Sequence, residues 1–111
     1  MIKCLLEYGA NINKANVFGD TPLIIASHTG NENIVKHLIE HGANVITKNN
    51  MGNSPLIAAC REKHENIARY LIDHGANINE RNRYGDTPLT IVCRNQNENL
   101  IKYIIDHGAD I

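Results

Sequence analysis

Gly19-Asp20-Thr21-Pro22-Leu23 returns as Gly52-Asn53-Ser54-Pro55-Leu56 and again as Gly85-Asp86-Thr87-Pro88-Leu89, each copy 33 residues after the last. A second block keeps the same step. His41-Gly42-Ala43-Asn44 becomes His74-Gly75-Ala76-Asn77 and His107-Gly108-Ala109-Asp110, with Tyr8-Gly9-Ala10-Asn11 one period earlier. A fixed period of this length marks a repeat architecture, in which each copy is one supersecondary unit. The chain divides without remainder into a partial unit, residues 1–15, and successive repeats at 16–48, 49–81 and 82–111. Together they make one domain.

Each unit has a local logic. Thr21, Ser54 and Thr87 are hydroxyl N-caps followed by Pro22, Pro55 and Pro88 at the first helical position. The hydroxyl satisfies an orphan amide and the proline pre-sets φ. All three prolines of the chain hold this one position, so none interrupts a helix. First helices are expected over 22–29, 55–62 and 88–94, and second helices over 32–40, 65–73 and 98–106. Glu32, Glu65 and Glu98 put negative charge where the second helix dipole favours it. Gly42, Gly75 and Gly108 stand where a left-handed residue ends a helix. The stretches between repeats carry Asn, Gly and Asp, which suit tight turns.

The apolar pattern explains why the units must stack. Ile34, Val35, Leu38 and Ile39 form a broad stripe on the second helix, repeated by Ile67, Ala68, Leu71 and Ile72 and by Leu100, Ile101, Ile104 and Ile105. On the first helix Leu23, Ala26 and Ser27 recur as Leu56, Ala59 and Cys60, then as Leu89, Val92 and Cys93. Two short helices cannot close a core alone, so each unit buries its faces against the neighbouring copy. The expected fold class is an all-α repeat solenoid.

This pattern resembles the ankyrin repeat, a 33-residue unit opening its first helix with Gly-X-Thr-Pro-Leu-His and following its second with Gly-Ala-Asp/Asn. The resemblance covers the whole chain. It implies an L-shaped unit of paired antiparallel helices joined by β-hairpin/turn loops, stacked into a curved solenoid. Several positions depart from the family pattern. Ile24, Ile57 and Thr90 replace the histidine after Thr-Pro-Leu, so the usual Thr–His hydrogen-bond network is absent. Val92 replaces a small Ala, Ile46 replaces Asn, and Lys63 and Gln96 replace the inter-helix glycine kept at Gly30. Less ideal geometry is expected at 49–81 and 82–111.

Composition narrows the classes of function. With 111 residues, net charge −1, 42% hydrophobic and 21% charged residues, the chain reads as a soluble globular protein. It has no strong field to recruit nucleic acid or anionic lipid. No apolar run approaches the roughly 20 residues of a membrane span. Lys3 and Glu7 arrive too early for a signal peptide, and three cysteines do not make a disulfide scaffold. A reduced, cytoplasmic setting, with the nucleus as an alternative, is expected.

No phosphate-binding Gly-rich loop, Gly-X-Ser-X-Gly, His-Glu-X-X-His or Cys-X-X-Cys occurs, so neither catalysis nor a cofactor is expected. His41, His74 and His107 form a ladder one repeat apart, at the negative end of each second helix. Neighbouring helices pack about 8–10 Å apart, too far to share an ion with bonds of about 2 Å. His37 and His41 lie one turn apart, but two ligands make no specific metal site. Cys60 and Cys93 recur at one core position and are expected to be buried hydrophobes too distant for a disulfide, with Cys4 buried or partly exposed.

The positions that the repeat leaves free carry the functional expectation. The turn tips read Ala15-Asn16-Val17-Phe18, Lys48-Asn49-Asn50-Met51 and Arg81-Asn82-Arg83-Tyr84. Asp20, Asn53 or Asp86 follows each glycine, and the first helices end in His28-Thr29, Arg61-Glu62 and Arg94-Asn95. The resemblance implies that these positions line a concave groove holding a protein or peptide partner. The candidate contact residues are therefore Phe18, Asp20, His28, Lys48, Met51, Asn53, Arg61, Arg81, Arg83, Tyr84, Asp86 and Arg94. Phe18, Met51 and Tyr84 would form a row, either a contact stripe or a set of side chains shielding their own loops. Lys48, Arg61, Arg81, Arg83 and Arg94 outnumber Asp20, Glu62 and Asp86 there. An acidic or amphipathic peptide would fit, and so would plain solvated charge.

The ends lack recognisable polar caps, so the chain reads as a segment of a longer array with a tendency to stack end to end. Two further readings stay open. One is a structural spacer, the other a targeting or regulatory segment of a larger protein.

Overall fold

A hydroxyl group opens every first helix. In the computed structural model, which describes residues 12–109, the side chains of Thr21, Ser54 and Thr87 accept hydrogen bonds from the amides of Ile24, Ile57 and Thr90. These begin α1 (Pro22–Thr29), α3 (Pro55–Arg61) and α5 (Pro88–Arg94), each with proline in its first turn. The second helices are α2 (Glu32–Glu40), α4 (Glu65–Asp73) and α6 (Glu98–Asp106). Asn31 and Asn97 cap α2 and α6 by accepting from Ile34 and Leu100. His64 stands at that place before α4 and makes no such cap. Its ring instead bonds to the carbonyl of His28 in the preceding repeat, 3.1 Å away.

The helix bounds agree with the sequence expectation except that α3 ends at Arg61, with Glu62 as its C-cap. Thr90, in place of the expected histidine, makes a reciprocal box with Thr87 at 2.9 and 3.2 Å. The turn between paired helices needs a left-handed residue in every copy: Gly30 at φ 88°, Lys63 at 63° and Gln96 at 60°. At each, the following amide reaches back to Ala26, Ala59 or Val92. The interlocking amides hold the conformation even where Cβ opposes it. A methyl at Gly30 would approach the His64 ring to 2.6 Å, so the tightest copy is the one that kept glycine.

First helices pack in a row, α1 on α3 on α5, second helices in a parallel row, and each first helix lies on its own second. Leu38, Leu71 and Ile104 occupy one position in three repeats and are all fully buried. The result is a helical solenoid, with six helices and no strand among the described residues. The loops expected to include β-hairpins are turns: Gly19 and Asn16, Gly52 and Asn49, and Gly85 and Asn82 close them by backbone bonds of 2.9–3.1 Å.

Cys93 departs from expectation. Cys60 is buried beneath α5, and Ser27 at the same position of α1 is buried beneath α3, whereas Cys93 is exposed. No further first helix among the described residues packs on α5 to cover it. The expectations for Cys4 and for the two uncapped ends fall outside the described residues.

The ends of the second helices carry their own ladder. His41, His74 and His107 each donate Nδ1–H to the carbonyl four residues back, at 2.8, 2.8 and 2.7 Å. A carbonyl only accepts, which fixes the tautomer at Nδ1. His74 and His107 stack on Tyr70 and Tyr103, and His41 lies tilted against His37, with ring centroids 4.1–4.2 Å apart. Lys36 lies over Tyr70 and Arg69 over Tyr103, and Tyr103 donates to Asp73, so each rung reaches into the next repeat.

Leu71, central in the core, sets the scale of cohesion. Leu71→Ala should cost about 2–5 kcal/mol, read as a lower urea midpoint; a loss under about 1 kcal/mol would contradict its placement at the joint of three repeats.

Candidate functional site

One asparagine organises each turn. Asn16 Oδ1 accepts from the amides of Phe18 and Asp20 at 2.9 and 3.0 Å. Asn49 does the same for Met51 and Asn53, at 3.0 and 2.9 Å, and Asn82 for Tyr84 and Asp86, at 2.9 and 3.0 Å. The other half of each amide points to the preceding repeat. Asn49 Nδ2 donates to Asp20 Oδ1 at 2.8 Å, and Asn82 Nδ2 donates to Asn53 Oδ1 at 2.9 Å. Backbone bonds run alongside, from Asn50 to Phe18 and from Arg83 to Met51, both 3.0 Å. Asn50 also donates its side-chain amide to Val17. Gly19 permits this approach, because a Cβ there would stand 2.8 Å from the backbone nitrogen of Asn50.

The turns are thereby locked edge to edge, and their tips present Phe18, Met51 and Tyr84 to solvent at 68%, 40% and 65% exposure. Each side chain sits at the same point of its turn, its amide held by the organising asparagine. None of the three belongs to the buried core. Beside them lies a depression of about 260 Å³ between α1 and α3, lined by Asp20, Ile24, Ile25, His28, Asn49, Asn53, Ala58 and Arg61.

The remaining candidates fall into different situations. Asn53 is buried, with its oxygen engaged by Asn82, so it joins the framework rather than a free contact surface. Asp20 is half-buried and engaged by Asn49. Asp86 pairs with Arg94 at 2.9 Å, and His28 lies 3.8 Å from Glu62. Lys48 donates to the carbonyl of Arg81 at 3.2 Å. Arg61, Arg81 and Arg83 are exposed, and none has an ion pair among the described residues.

Two features escaped sequence reasoning. Asn16, Asn49 and Asn82 recur one period apart, three residues before a glycine, a spacing that suits an Asx turn. Ile25 is 45% exposed at the rim of the depression, where the next copies carry Ala58 and Ile91. The small Ala58 leaves the space that Ile25 overlooks.

Other chemistry is quiet. Burial pushes the Cys60 thiol up to about 12, which disfavours the reactive thiolate. Among the described residues no three of His, Cys, Asp and Glu gather as a metal site. No described helix is long and apolar enough to cross a membrane.

Against this geometry, a family model for ankyrin repeats in three copies matches residues 1–82 and 46–111, ranges that together take in the whole chain. The chain belongs to the ankyrin-repeat family. No match was found among curated proteins. Ankyrin repeats are in general non-catalytic protein–protein interaction modules. In this ankyrin-repeat chain the asparagine bonds are the joints between fingers.

Two outcomes follow for the framework. Asn82→Ala removes a buried group holding two amides and Asn53, so it should cost about 1–3 kcal/mol, while Arg83→Ala on the same finger stays within about 0.5 kcal/mol. Equal urea midpoints for the two variants would refute the framework role of Asn82. The second concerns Glu80, buried below the third finger, where one carboxylate oxygen lacks a partner. Burial raises its pKa, against smaller opposing effects of the Ser54 hydroxyl and the Lys48 charge. A carboxyl raised on folding favours the folded state below its unfolded pKa and loses that contribution as pH rises through the folded value. Glu80→Gln should therefore be more stable than the parent at neutral pH, with the gain shrinking as pH falls through the carboxyl range. Thermal melts at a series of pH values check the sign.

Proposed function

We propose that the chain is a non-catalytic adaptor that holds a protein or peptide partner against its fingertip row and the adjoining ends of its first helices. The observation that carries this reading is the exposure of Phe18, Met51 and Tyr84 at one register of a locked scaffold. Large apolar side chains presented in a line are unusual for surface that touches only water, and aromatic and Arg side chains dominate binding hot spots. His28, Arg61, Arg81, Arg83 and Arg94 supply the polar rim, with Asp20, Lys48 and Asp86 held at its edges by the bonds described above. Nucleic acid and membranes are not the expected partners, given a net charge of −1. The free thiols of Cys60 and Cys93 suit a reducing compartment such as the cytoplasm.

The test compares the wild type with Phe18→Ala and Tyr84→Ala in capture from a lysate of the source cell, after circular dichroism confirms helical folding. Each substitution should weaken a captured partner by about 1 kcal/mol or more while leaving the urea midpoint nearly unchanged. Undiminished recovery by the folded double variant would favour a spacer, for which the tips have no role.

A further inference from the structure

We propose that the occupant of this face is a linear, acidic peptide segment that sets an aliphatic side chain into the depression beside Ile25. The inference rests on the interaction reading above and deepens it by giving the partner a chemistry.

The first argument is the state of the charges. Of the carboxylates on this face, Asp86 is paired with Arg94 and Asp20 accepts from Asn49, while Glu62 lies 3.8 Å from the ring of His28. Arg61, Arg81 and Arg83 are exposed without an ion pair among the described residues. Five cations, Lys48, Arg61, Arg81, Arg83 and Arg94, stand against three carboxylates here, so the face is net positive although the chain as a whole carries −1. An incoming carboxylate meets exposed guanidinium forks with no ion pair to break, whereas an incoming lysine or arginine meets an excess of like charge.

The second argument is size. The depression holds about 260 Å³. Small-molecule sites typically enclose about 300–1,000 Å³, and this depression falls just below that range, with room for a peptide side chain. Its wall joins the apolar Ile24, Ile25 and Ala58 to the polar Asp20, His28, Asn49 and Asn53, with Arg61 beside them, so an aliphatic group fits against the isoleucines and an acidic neighbour reaches Arg61. The third argument is spacing. Neighbouring first helices pack about 8–10 Å apart, and an extended chain advances about 3.3 Å per residue. A peptide running along the fingertips would therefore address successive repeats at every third residue, passing Phe18, Met51 and Tyr84 in turn.

The experiment is a selection on the intact chain from a random peptide library of about twelve residues, repeated on Arg61→Glu/Arg83→Glu and on Phe18→Ala/Tyr84→Ala. The expected pool is enriched in Asp and Glu near an aliphatic residue. Binding of a chosen peptide should weaken at least about tenfold in the charge-reversed variant and fall as salt rises. Enriched peptides that are neutral or basic, yet lost on Phe18→Ala/Tyr84→Ala, would overturn the acidic assignment and leave the interaction reading standing. Peptides indifferent to both variants, or no enrichment at all, would overturn both. A labelled oligothymidine that outcompetes the selected peptides would overturn the proposal in favour of single-stranded nucleic acid.

Discussion

No repeat of this chain can bury its own helices. A first helix of seven or eight residues and a second of nine cover each other on one side only. The exposed side becomes interior when the next copy arrives, so burial is a property of the joint and not of the unit. Position 27 makes the point at the scale of one side chain. Ser27 and Cys60 are buried because a further first helix packs on each, and Cys93 is exposed because no further first helix among the described residues packs on it. The Cys93 surface differs in covering, not in sequence pattern.

The joint is stitched at three levels. Apolar side chains such as Leu38, Leu71 and Ile104 fill the centre. Along the second helices, Lys36 over Tyr70 and Arg69 over Tyr103 carry contacts from one helix to the next. Along the fingers, the amides of Asn49 and Asn82 tie each turn to the one before. These contacts pass only between neighbours, which makes stability nearly a sum over units and joints. Ile46 thins one of the outer stitches. Asn13 accepts from the Asn44 amide, and Asn79 donates to the Gly108 carbonyl, while Ile46 at the intervening position has no polar group to offer.

Much of this was legible in the sequence because it depends on neighbours along the chain. Hydroxyl, proline and glycine at fixed offsets set the six helices to within one residue. Local chemistry also preserved the inter-helix turn at Lys63 and Gln96, where the amide bonds repay a left-handed backbone without glycine. What the sequence hid depends on two units at once. Asn53 looked like a free polar residue until Asn82 of the following finger was found bound to it. The depression beside Ile25 exists because a small Ala58 stands opposite in the next repeat. Charge was misleading for the same reason: Asp86 and Arg94 cancel each other in space, leaving the exposed arginines as the unpaired set.

The asparagine of each finger takes hold of the tip residue by its backbone N–H alone. It is therefore blind to what that residue carries beyond Cα. Phe18, Met51 and Tyr84 are three different answers plugged into one socket, and the socket accepts a fourth as readily. Recognition on this chain can be rewritten one finger at a time while the scaffold keeps its shape. The single residue the socket refuses is proline, which has no hydrogen on its nitrogen to give.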